Sequence, residues 1–494
     1  MQSCFQGISP VSLRKLFPCA EMFGADDFTM LNAVSDVEKV QEGDVFFACN
    51  ATNGMLDALL DDAIRRGAKA LVVPEMTGNP FRMTPNEELV PLLVVEEVEA
   101  AYARACHALF GFPSRKLEMI GVTGTSGKTM TSCLIAGILG AARRNVGMLG
   151  SLGVFDGVDA SPNSISLLPP KRTASWLARM IANGCSHAVV EVSSQALALS
   201  RLESVSFGTI CVTNILRAHL EYHRSLCEYR KAKMRIFEYL SRDGVAILNA
   251  DDPICAEAAS WLDIPILTYG LHNSADVSGA IIEQGTSEQT LLVSAGDQTA
   301  PLRTRIVGNH YIYDCLAAIA VGLRLGIQFA DVLKGVESVD LIPGRMERID
   351  CGQNYSVFID RAAAPEELRS TLEFLREVTR GRIYCVMSAT PREGSGSRSA
   401  MELLAAKYAD LVFLAEENRP DDSDGLNFEC KSAVTQKVFR CESRRDAILH
   451  ALSTAKKGDS VLIAGRGYEK KRAPNDPARQ DDRDIVRRIL FRIP

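Results

Sequence analysis

Residues 121–129 combine the residue types that bind a nucleotide phosphate. Their sequence is Gly121-Val-Thr-Gly-Thr-Ser-Gly-Lys-Thr129, and its glycines allow the backbone to approach an oxyanion closely. Lys128 brings a mobile positive charge to the β- and γ-phosphates, and Thr129 brings a hydroxyl for Mg²⁺. The strict Walker spacing requires glycine at position 122, which is valine here, but the adjacent Gly-Lys-Thr still favours a phosphate loop over an ordinary turn with an incidental lysine. The candidate nucleotide contacts are Gly124, Thr125, Ser126, Gly127, Lys128 and Thr129.

The elements on either side of this loop support the same prediction. Leu117–Val122 is a short apolar run typical of a buried strand, and Met130–Ala142 carries apolar residues at helical spacing. A helix that begins at the loop points free backbone N–H groups and the positive end of its dipole toward the phosphates. Strand, loop and helix therefore follow one another as a phosphate site requires.

Three further candidate residues lie downstream. Glu191 ends the predicted strand Ala188–Val192, and His219 follows the predicted strand Thr209–Thr213. Lys233 lies in the next predicted helix. Each residue alone is weak evidence of a functional site, because a strand-end glutamate is often a helix cap and a lone histidine is more often structural than catalytic. Their joint placement after successive strands favours a shared site.

The order of strands and helices predicts an α/β protein of three domains. Residues 1–112 form a small N-terminal α/β domain, and residues 113–339 form a central doubly wound domain that carries the phosphate loop. Residues 340–494 form a Rossmann-like C-terminal domain. The segments predicted as loops within it are Pro391–Ser399, Asn418–Asn427 and Arg472–Gln480.

Composition narrows the classes of function. The chain of 494 residues is too long for one hydrophobic core, and its net charge of −6 gives no reason to expect nucleic-acid binding. The 14 cysteines form no paired CxxC pattern, so neither a zinc site nor a disulfide framework is indicated. No signal segment and no membrane-spanning apolar run is recognisable, which predicts a cytoplasmic protein without membrane contact.

The ordered set of motifs resembles the Mur ligases, and most closely those that add the third residue of the peptidoglycan stem to a UDP-MurNAc-dipeptide. The motifs that carry this resemblance are the phosphate loop, Glu191-Val-Ser-Ser194, Thr213-Asn214, His219-Leu-Glu-Tyr-His223, Ala232-Lys233, Pro343-Gly-Arg-Met-Glu-Arg348, Asp360, Gly465-Arg-Gly-Tyr-Glu469 and Asp481-Asp-Arg-Asp484. They extend over nearly the whole chain. The resemblance implies a UDP-sugar-binding N-terminal domain, a central ATPase domain and a C-terminal ligase domain.

The resemblance also implies an activity. A family member uses ATP and Mg²⁺ to convert a substrate carboxylate into an acyl phosphate, which an amine then attacks with release of phosphate. The implied partners are a UDP-MurNAc-peptide precursor and a free amino acid, and the implied state is a monomer.

The same resemblance assigns roles to individual residues. Lys128, Glu191, His219 and Lys233 match catalytic residues, and Thr129, Glu191, His219 and a carbamylated Lys233 match metal ligands. Arg345 and Asp360 match residues of the C-terminal domain that bind ATP. The implied substrate-binding residues are Ser193, Asn418, Arg419, Gly465 and Glu469.

Several motif positions depart from the family pattern, which leaves a second interpretation open. Departures occur at Asp36-Val-Glu38, Gln195, Ala218, Tyr311, Asp314 and Asp360-Arg-Ala-Ala-Ala-Pro365. Asp36-Val-Glu38 lies where contact with the uridine sugar is expected, and Ala218 lies beside the metal ligand His219. Tyr311 and Asp314 lie where contact with the adenine is expected. The retained catalytic residues favour an active ligase, whereas these replacements favour a paralogue that binds nucleotide or wall precursor without ligation.

One departure concerns the acceptor amino acid. The family segment Asp-Asn-Pro-Arg, which recognises diaminopimelate, is here Glu417-Asn-Arg-Pro420. Arg419 therefore lies one place early, and Pro420 changes the backbone direction at this point. The sequence predicts that diaminopimelate is a poor acceptor.

Overall fold

The computed structural model describes residues 9–49, 55–74, 81–162, 164, 167–218, 220–388, 395–415, 437–466 and 481–491. Three main sheets follow one another along the chain, and helices accompany each of them, so the predicted α/β class is confirmed. All strands of each main sheet lie within one of the three predicted segments. We therefore keep residues 112 and 339 as the proposed domain limits.

The N-terminal sheet has five strands. The elements of this segment are β1 (Val11–Ser12), α1 (Leu13–Leu16), β2 (Glu21–Phe23), β3 (Thr29–Met30), β4 (Ala33–Val34), β5 (Val45–Phe47), α2 (Leu56–Arg65), β6 (Ala70–Val73), β7 (Arg82–Met83), β8 (Leu89–Val90), β9 (Leu92–Val94) and α3 (Val98–Leu109). The strand order is β2-β9-β6-β5-β4, with β2 antiparallel to a parallel remainder. Helix α2 ends before Gly67, whose φ of +107° lets the chain turn back into β6.

The central sheet has eleven strands. Its strands are β10 (Glu118–Thr123), β11 (Val146–Leu149), β12 (Val154–Phe155), β13 (Ala160–Ser161), β14 (His187–Glu191), β15 (Phe207–Val212), β16 (Leu240–Asn249), β17 (Ile266–Gly270), β18 (Val277–Gln284), β19 (Gln289–Ala295) and β20 (Gln298–Thr304). Its helices are α4 (Lys128–Ala141), α5 (Pro170–Ala182), α6 (Ser194–Ala198), α7 (Leu220–His223), α8 (Leu226–Met234), α9 (Pro253–Trp261), α10 (Asn309–Arg324) and α11 (Phe329–Glu337).

The order of these strands places the phosphate loop between two neighbouring strand ends. The sheet runs β13-β12-β11-β14-β10-β15-β16-β17-β18-β19-β20, and the strands from β11 to β18 are parallel in space. Strand β10 lies between β14 and β15, with Val122 opposite Glu191 and Thr123 opposite Val212. Parallel strands end at a common edge, so the loop after β10, Glu191 and the residues after β15 meet there.

The C-terminal sheet has six strands. The elements are β21 (Glu347–Arg348), β22 (Ser356–Asp360), α12 (Pro365–Val378), β23 (Ile383–Ser388), α13 (Ser395–Tyr408), β24 (Leu411–Ala415), β25 (Val438–Cys441), α14 (Arg444–Thr454), β26 (Ser460–Ala464) and α15 (Asp482–Leu490). The order is β21-β22-β26-β23-β24-β25, with only the short β21 antiparallel within the described sheet. A single cluster of buried apolar side chains runs from the central into this C-terminal segment, from Ile138 to Leu462.

The structure corrects the sequence prediction at one loop. Helix α13 begins at Ser395, inside the segment Pro391–Ser399 that was expected to be a loop. Gly and Ser there are weak helix formers, but the helix buries Met401 and Ala405 against the core, and that packing outweighs propensity.

Two other elements end earlier than their patterns indicate. Pro91 divides the run Leu89–Val95 into β8 and β9. The residue pattern over Leu226–Leu240 indicates a single helix, but that helix ends at Met234 and the chain continues as a 3₁₀ turn, Arg235–Tyr239. The predicted loops Asn418–Asn427 and Arg472–Gln480 lie outside the described residues. No helix within the described ranges is long and apolar enough to cross a membrane.

Candidate active site

The phosphate loop has the strand–loop–helix geometry that the sequence predicts. It connects β10 to α4, and Gly127 at the N-terminus of α4 has a φ of +84°. Gly124 has a φ of +151°. A side chain at Gly124 would collide with Thr213, and one at Gly127 would collide with Asp314. Glycine is therefore required at both positions by backbone conformation and by close packing.

The chain after β15 fixes the shape of the loop. Asn214 accepts hydrogen bonds from the backbone N–H groups of Thr125 through its carbonyl oxygen (2.8 Å) and of Ser126 through Oδ1 (3.0 Å). Thr213 donates from Oγ1 to the Ser126 carbonyl oxygen at 2.5 Å. The hydroxyls of Thr125 and Tyr229 lie 2.8 Å apart. The loop is thus held in place by hydrogen bonds with the segment that follows β15 and with Tyr229 of α8.

Lys128 folds back over the loop. Its Nζ donates to the carbonyl oxygens of Gly124 and Thr125, both at 2.9 Å. Burial lowers the pKa of Lys128 to about 8, although Glu191 and Glu367 favour the ammonium form. Lys128 is therefore a partly desolvated donor at the mouth of the loop, where its interaction with phosphate is strengthened by the low local dielectric.

Three side chains form a compact oxygen cluster beside the loop. Thr129 Oγ1 donates to Glu191 Oε2 at 3.0 Å and lies 2.7 Å from Ser151 Oγ. Ser151 donates to Glu191 through its backbone N–H (3.2 Å, to Oε1) and through Oγ (3.1 Å, to Oε2). Glu191 is buried. The sequence prediction named Thr129 and Glu191 as metal ligands but missed Ser151, whose only signal is its place two residues after β11.

This cluster fits a magnesium ion by its donor chemistry. Hydroxyl and carboxylate oxygens are the ligands that Mg²⁺ prefers, and Thr129 and Glu191 present them beside the phosphate loop. Within the described part of the chain, no group of three His, Cys, Asp or Glu side chains has a metal-binding arrangement. His219 lies outside the described residues.

Lys233 points into the same site from α8. The side chain is 2% exposed, and Nζ donates to the Gly124 carbonyl oxygen at 2.6 Å and to Thr123 Oγ1 at 3.3 Å. Burial, with a further contribution from nearby Lys128, lowers the pKa of Lys233 well below its usual value. Lys233 therefore lies buried directly beneath the loop, away from the exposed face of α8 that carries Lys231.

The C-terminal segment closes over the loop. Ser126 Oγ donates to Glu367 Oε1 at 3.0 Å, which joins the phosphate loop to α12. Burial opposes ionisation of Glu367, but the Arg345 guanidinium and hydrogen bonds from Ala363 and Ser126 keep its pKa below the usual value. Arg345 thus lies near the loop, as its expected nucleotide-binding role requires.

Asp360 is engaged in a second bridge between the two segments. Its Oδ2 accepts hydrogen bonds from the Tyr311 hydroxyl and from the Met346 N–H, both at 2.9 Å. Its Oδ1 accepts from the Ala362 N–H at 2.7 Å. Tyr311, which replaces an amide of the family pattern, therefore contacts the C-terminal segment in this arrangement.

The predicted substrate-binding residues divide into two groups. Ser193 Oγ accepts from the Ala196 N–H at 3.2 Å and so caps α6, directly after Glu191. Gly465, with a φ of +102°, follows β26 and donates to the Asp360 carbonyl oxygen at 3.1 Å. The remaining three, Asn418, Arg419 and Glu469, lie outside the described residues.

Comparisons with known proteins agree on a family. Residues 122–322 match the family model of the Mur ligase middle domain, and residues 344–467 match that of the Mur ligase glutamate ligase domain. The UDP-N-acetylmuramoyl-L-alanyl-D-glutamate--2,6-diaminopimelate ligase of Parabacteroides distasonis is 30% identical, over 97% of this chain and 99% of the relative.

Solved structures show the same fold. One of a UDP-N-acetylmuramoyl-L-alanyl-D-glutamate--2,6-diaminopimelate ligase superposes with a TM-score of 0.70 at 23% identity, over 98% of this chain and 99% of the other. The MurF ligase of Thermotoga maritima in complex with ADP gives a TM-score of 0.58 at 18% identity, over 94% and 96% of the two chains.

We predict that Ser151 orients Glu191 for cation binding. Ser151→Ala removes the Oγ donor to Glu191 and should weaken Mg²⁺-dependent ATP binding by about 10- to 100-fold, the usual effect of losing such a positioning group. Ser151→Thr keeps the hydroxyl and should restore most of the affinity. Titration calorimetry with ATP at varied Mg²⁺ measures this directly, and equal Mg²⁺ dependence in wild type and Ser151→Ala would refute the role.

Proposed function

Since the chain belongs to the Mur ligase family, we propose that it is an ATP-dependent ligase that adds an amino acid to a UDP-MurNAc-dipeptide in peptidoglycan precursor synthesis. The observation that carries this proposal is the preformed phosphate loop with Lys128, Thr129 and Glu191 assembled around it. ATP is the proposed nucleotide and Mg²⁺ the proposed cation.

The residues of the site support a two-step reaction. In the first step a carboxylate oxygen of the dipeptide attacks the γ-phosphorus of ATP, the bond to the β-phosphate oxygen breaks, and ADP leaves. In the second step the amino nitrogen of the incoming amino acid attacks the carbonyl carbon, a proton is lost and inorganic phosphate leaves. Lys128 offsets negative charge on the transferring group through its ammonium.

The remaining side chains bind and orient. Thr129 and Glu191 would hold Mg²⁺, with Ser151 fixing the carboxylate, and the bound ion supplies charge neutralisation at the phosphates. The Thr213-Asn214 segment keeps the loop backbone in one conformation, so the loop is already shaped before a phosphate binds.

A paralogue that binds without ligating is not supported. The named relatives are ligases, and the family membership extends over the segments that carry the phosphate loop and the C-terminal residues. The replaced residues Tyr311 and Asp314 are accommodated in the structure by the hydrogen bonds Tyr311–Asp360 and Thr131–Asp314.

The proposal predicts ATP-dependent release of phosphate. Purified protein given Mg-ATP, UDP-MurNAc-dipeptide and a panel of amino acids should release phosphate and form a tripeptide product. Lys128→Ala should lower kcat by about 100-fold or more, because transition-state charge loses its closest mobile cation. Lys334→Ala, which removes an exposed lysine of the same domain, is the matched control. Absence of product with every amino acid of the panel would contradict the proposal.

We further propose that Lys233 is carbamylated in the working enzyme. The uncharged amine is the form that attacks CO₂; a C–N bond forms and one proton is released. The carbamate places an anion beside Lys128, and this anion is attracted to both Lys128 and Mg²⁺.

This proposal predicts a specific rescue. Lys233→Ala should abolish turnover, and short carboxylic acids such as acetate or propionate should restore part of it by supplying the missing carboxylate. Lys231→Ala, on the exposed side of the same helix, should remain active. Loss of turnover without any rescue, together with an unmodified Lys233 in the mass spectrum of the intact protein, would argue against carbamylation.

The acceptor is proposed to lack the distal carboxylate of diaminopimelate. Arginine binds a carboxylate through two parallel hydrogen bonds. A shift of one residue along the chain displaces the side chain by about 3.5 Å, which disrupts this geometry. The segment Glu417-Asn-Arg-Pro420 lies outside the described residues.

Competition between amino acids tests the acceptor prediction. Diaminopimelate, lysine, ornithine and smaller amino acids are compared by kcat/KM with the same ATP and dipeptide substrate. An amino acid without the distal carboxylate should exceed diaminopimelate by about tenfold, the order of one charge-assisted hydrogen bond. The highest kcat/KM for diaminopimelate would show that Arg419 still reaches the carboxylate.

The last part of the proposal concerns the oligomeric state, the location and the partners of the protein. We propose that the protein works as a monomer in the cytoplasm, where ATP is available, with the UDP-MurNAc-dipeptide and the free amino acid as its partners. Nucleic acid has no role in the proposed reaction.

A further inference from the structure

Arg361 lies next to the phosphate loop and has no role in the site described so far. It directly follows Asp360 at the end of β22, and its backbone N–H donates to the Gly344 carbonyl oxygen at 2.9 Å. The side chain is half-buried. Its guanidinium forms no hydrogen bond or ion pair with any residue among the described ranges, and it lies close enough to Lys128 to lower the pKa of that lysine.

Arg361 is one of three cationic side chains that lie close together at the phosphate loop. Lys128 reaches the loop from α4, and Arg345 and Arg361 reach it from the C-terminal segment. Burial lowers the pKa of Arg361, and the nearby Arg345 lowers it further, which reflects mutual repulsion.

The neighbouring carboxylates are already committed to other donors. Glu367 accepts hydrogen bonds from Ser126 Oγ and the Ala363 N–H, and Glu191 accepts from the hydroxyls of Thr129 and Ser151. Both carboxylates attract Arg361 electrostatically without pairing with it. The Arg361 guanidinium is therefore partly desolvated without a hydrogen-bonded anionic partner among the described residues, which is costly unless a ligand supplies one.

We propose that Arg361 donates hydrogen bonds to the terminal phosphate of the bound nucleoside triphosphate. This inference rests on the proposed ATP-dependent function and adds a residue to it. The neighbours of Arg361 identify the terminal phosphate, because Lys128 reaches the β- and γ-phosphates of a nucleotide in such a loop. Glu191, the proposed cation ligand beside the same phosphates, also lies near Arg361.

The chemistry of arginine suits this position. A guanidinium is planar, keeps its charge and donates in a fixed fork that matches two oxygens of one phosphate. An arginine brought to the γ-phosphate from another domain stabilises the charge of phosphoryl transfer.

The decisive measurement compares ATP with ADP. Titration calorimetry of the full chain with Mg-ATP and Mg-ADP gives the ratio of the two affinities. Arg361→Ala should weaken Mg-ATP binding by about tenfold or more, the usual effect of losing a hydrogen bond between charged groups. Mg-ADP, which lacks the γ-phosphate, should bind Arg361→Ala as it binds wild type. Arg361→Lys keeps the charge without the fork and should lie between the two.

Controls separate this role from general damage. Arg380→Ala removes an exposed arginine of the same domain and should leave both affinities unchanged. An equal loss of ATP and ADP binding in Arg361→Ala would mean a structural role and would overturn the inference. Wild-type affinity of Arg361→Ala for both nucleotides would also overturn it, while leaving the proposed ligase function intact. Failure of wild-type protein to bind Mg-ATP would refute the proposed function itself, and this inference with it.

Discussion

The close approach of the phosphate loop to its neighbours is the constraint on which the rest of the site depends. Gly124 lies against Thr213 and Gly127 lies against Asp314, with no space for a Cβ atom at either contact. These contacts lock the loop between the end of β15 and helix α10. Because these contacts fix the loop backbone in advance, phosphate binding needs little reorganisation of the loop, and such preorganisation is a main source of electrostatic catalysis.

Burial around the loop shifts the pKa values of two ionisable side chains, Asp314 and Lys233. Burial raises the pKa of the Asp314 carboxyl well above its usual range, while Thr131 Oγ1 donates to it at 3.2 Å. Burial lowers the pKa of Lys233, whose Nζ donates to the Gly124 carbonyl oxygen, well below its usual value. Burial thus disfavours the charged form of both groups, and the cationic side chains near the mouth of the loop are Lys128, Arg345 and Arg361.

The joint between the central and C-terminal segments is polar at its edge and apolar behind it. Ser126–Glu367, Tyr311–Asp360 and Asn309–Glu377 hydrogen bonds join the two segments at 2.9–3.1 Å. Behind them, one apolar cluster continues from Ile138 to Leu462. Since the polar contacts involve the phosphate loop and α10 directly, nucleotide binding and the position of the C-terminal segment are coupled through the same few side chains.

The sequence alone determined the family, the α/β class and the strand–loop–helix unit, because these depend on local spacing and residue type. Gly-Lys-Thr after an apolar run specifies its own geometry, and Glu191 is placed by the end of its strand. Ser151, Glu367 and Arg361 became visible only in the tertiary structure, because they reach the loop from elements distant along the chain. Burial decided the rest: the pKa shifts of Lys233 and Asp314 depend on how much water the packed domains exclude, which no local pattern encodes.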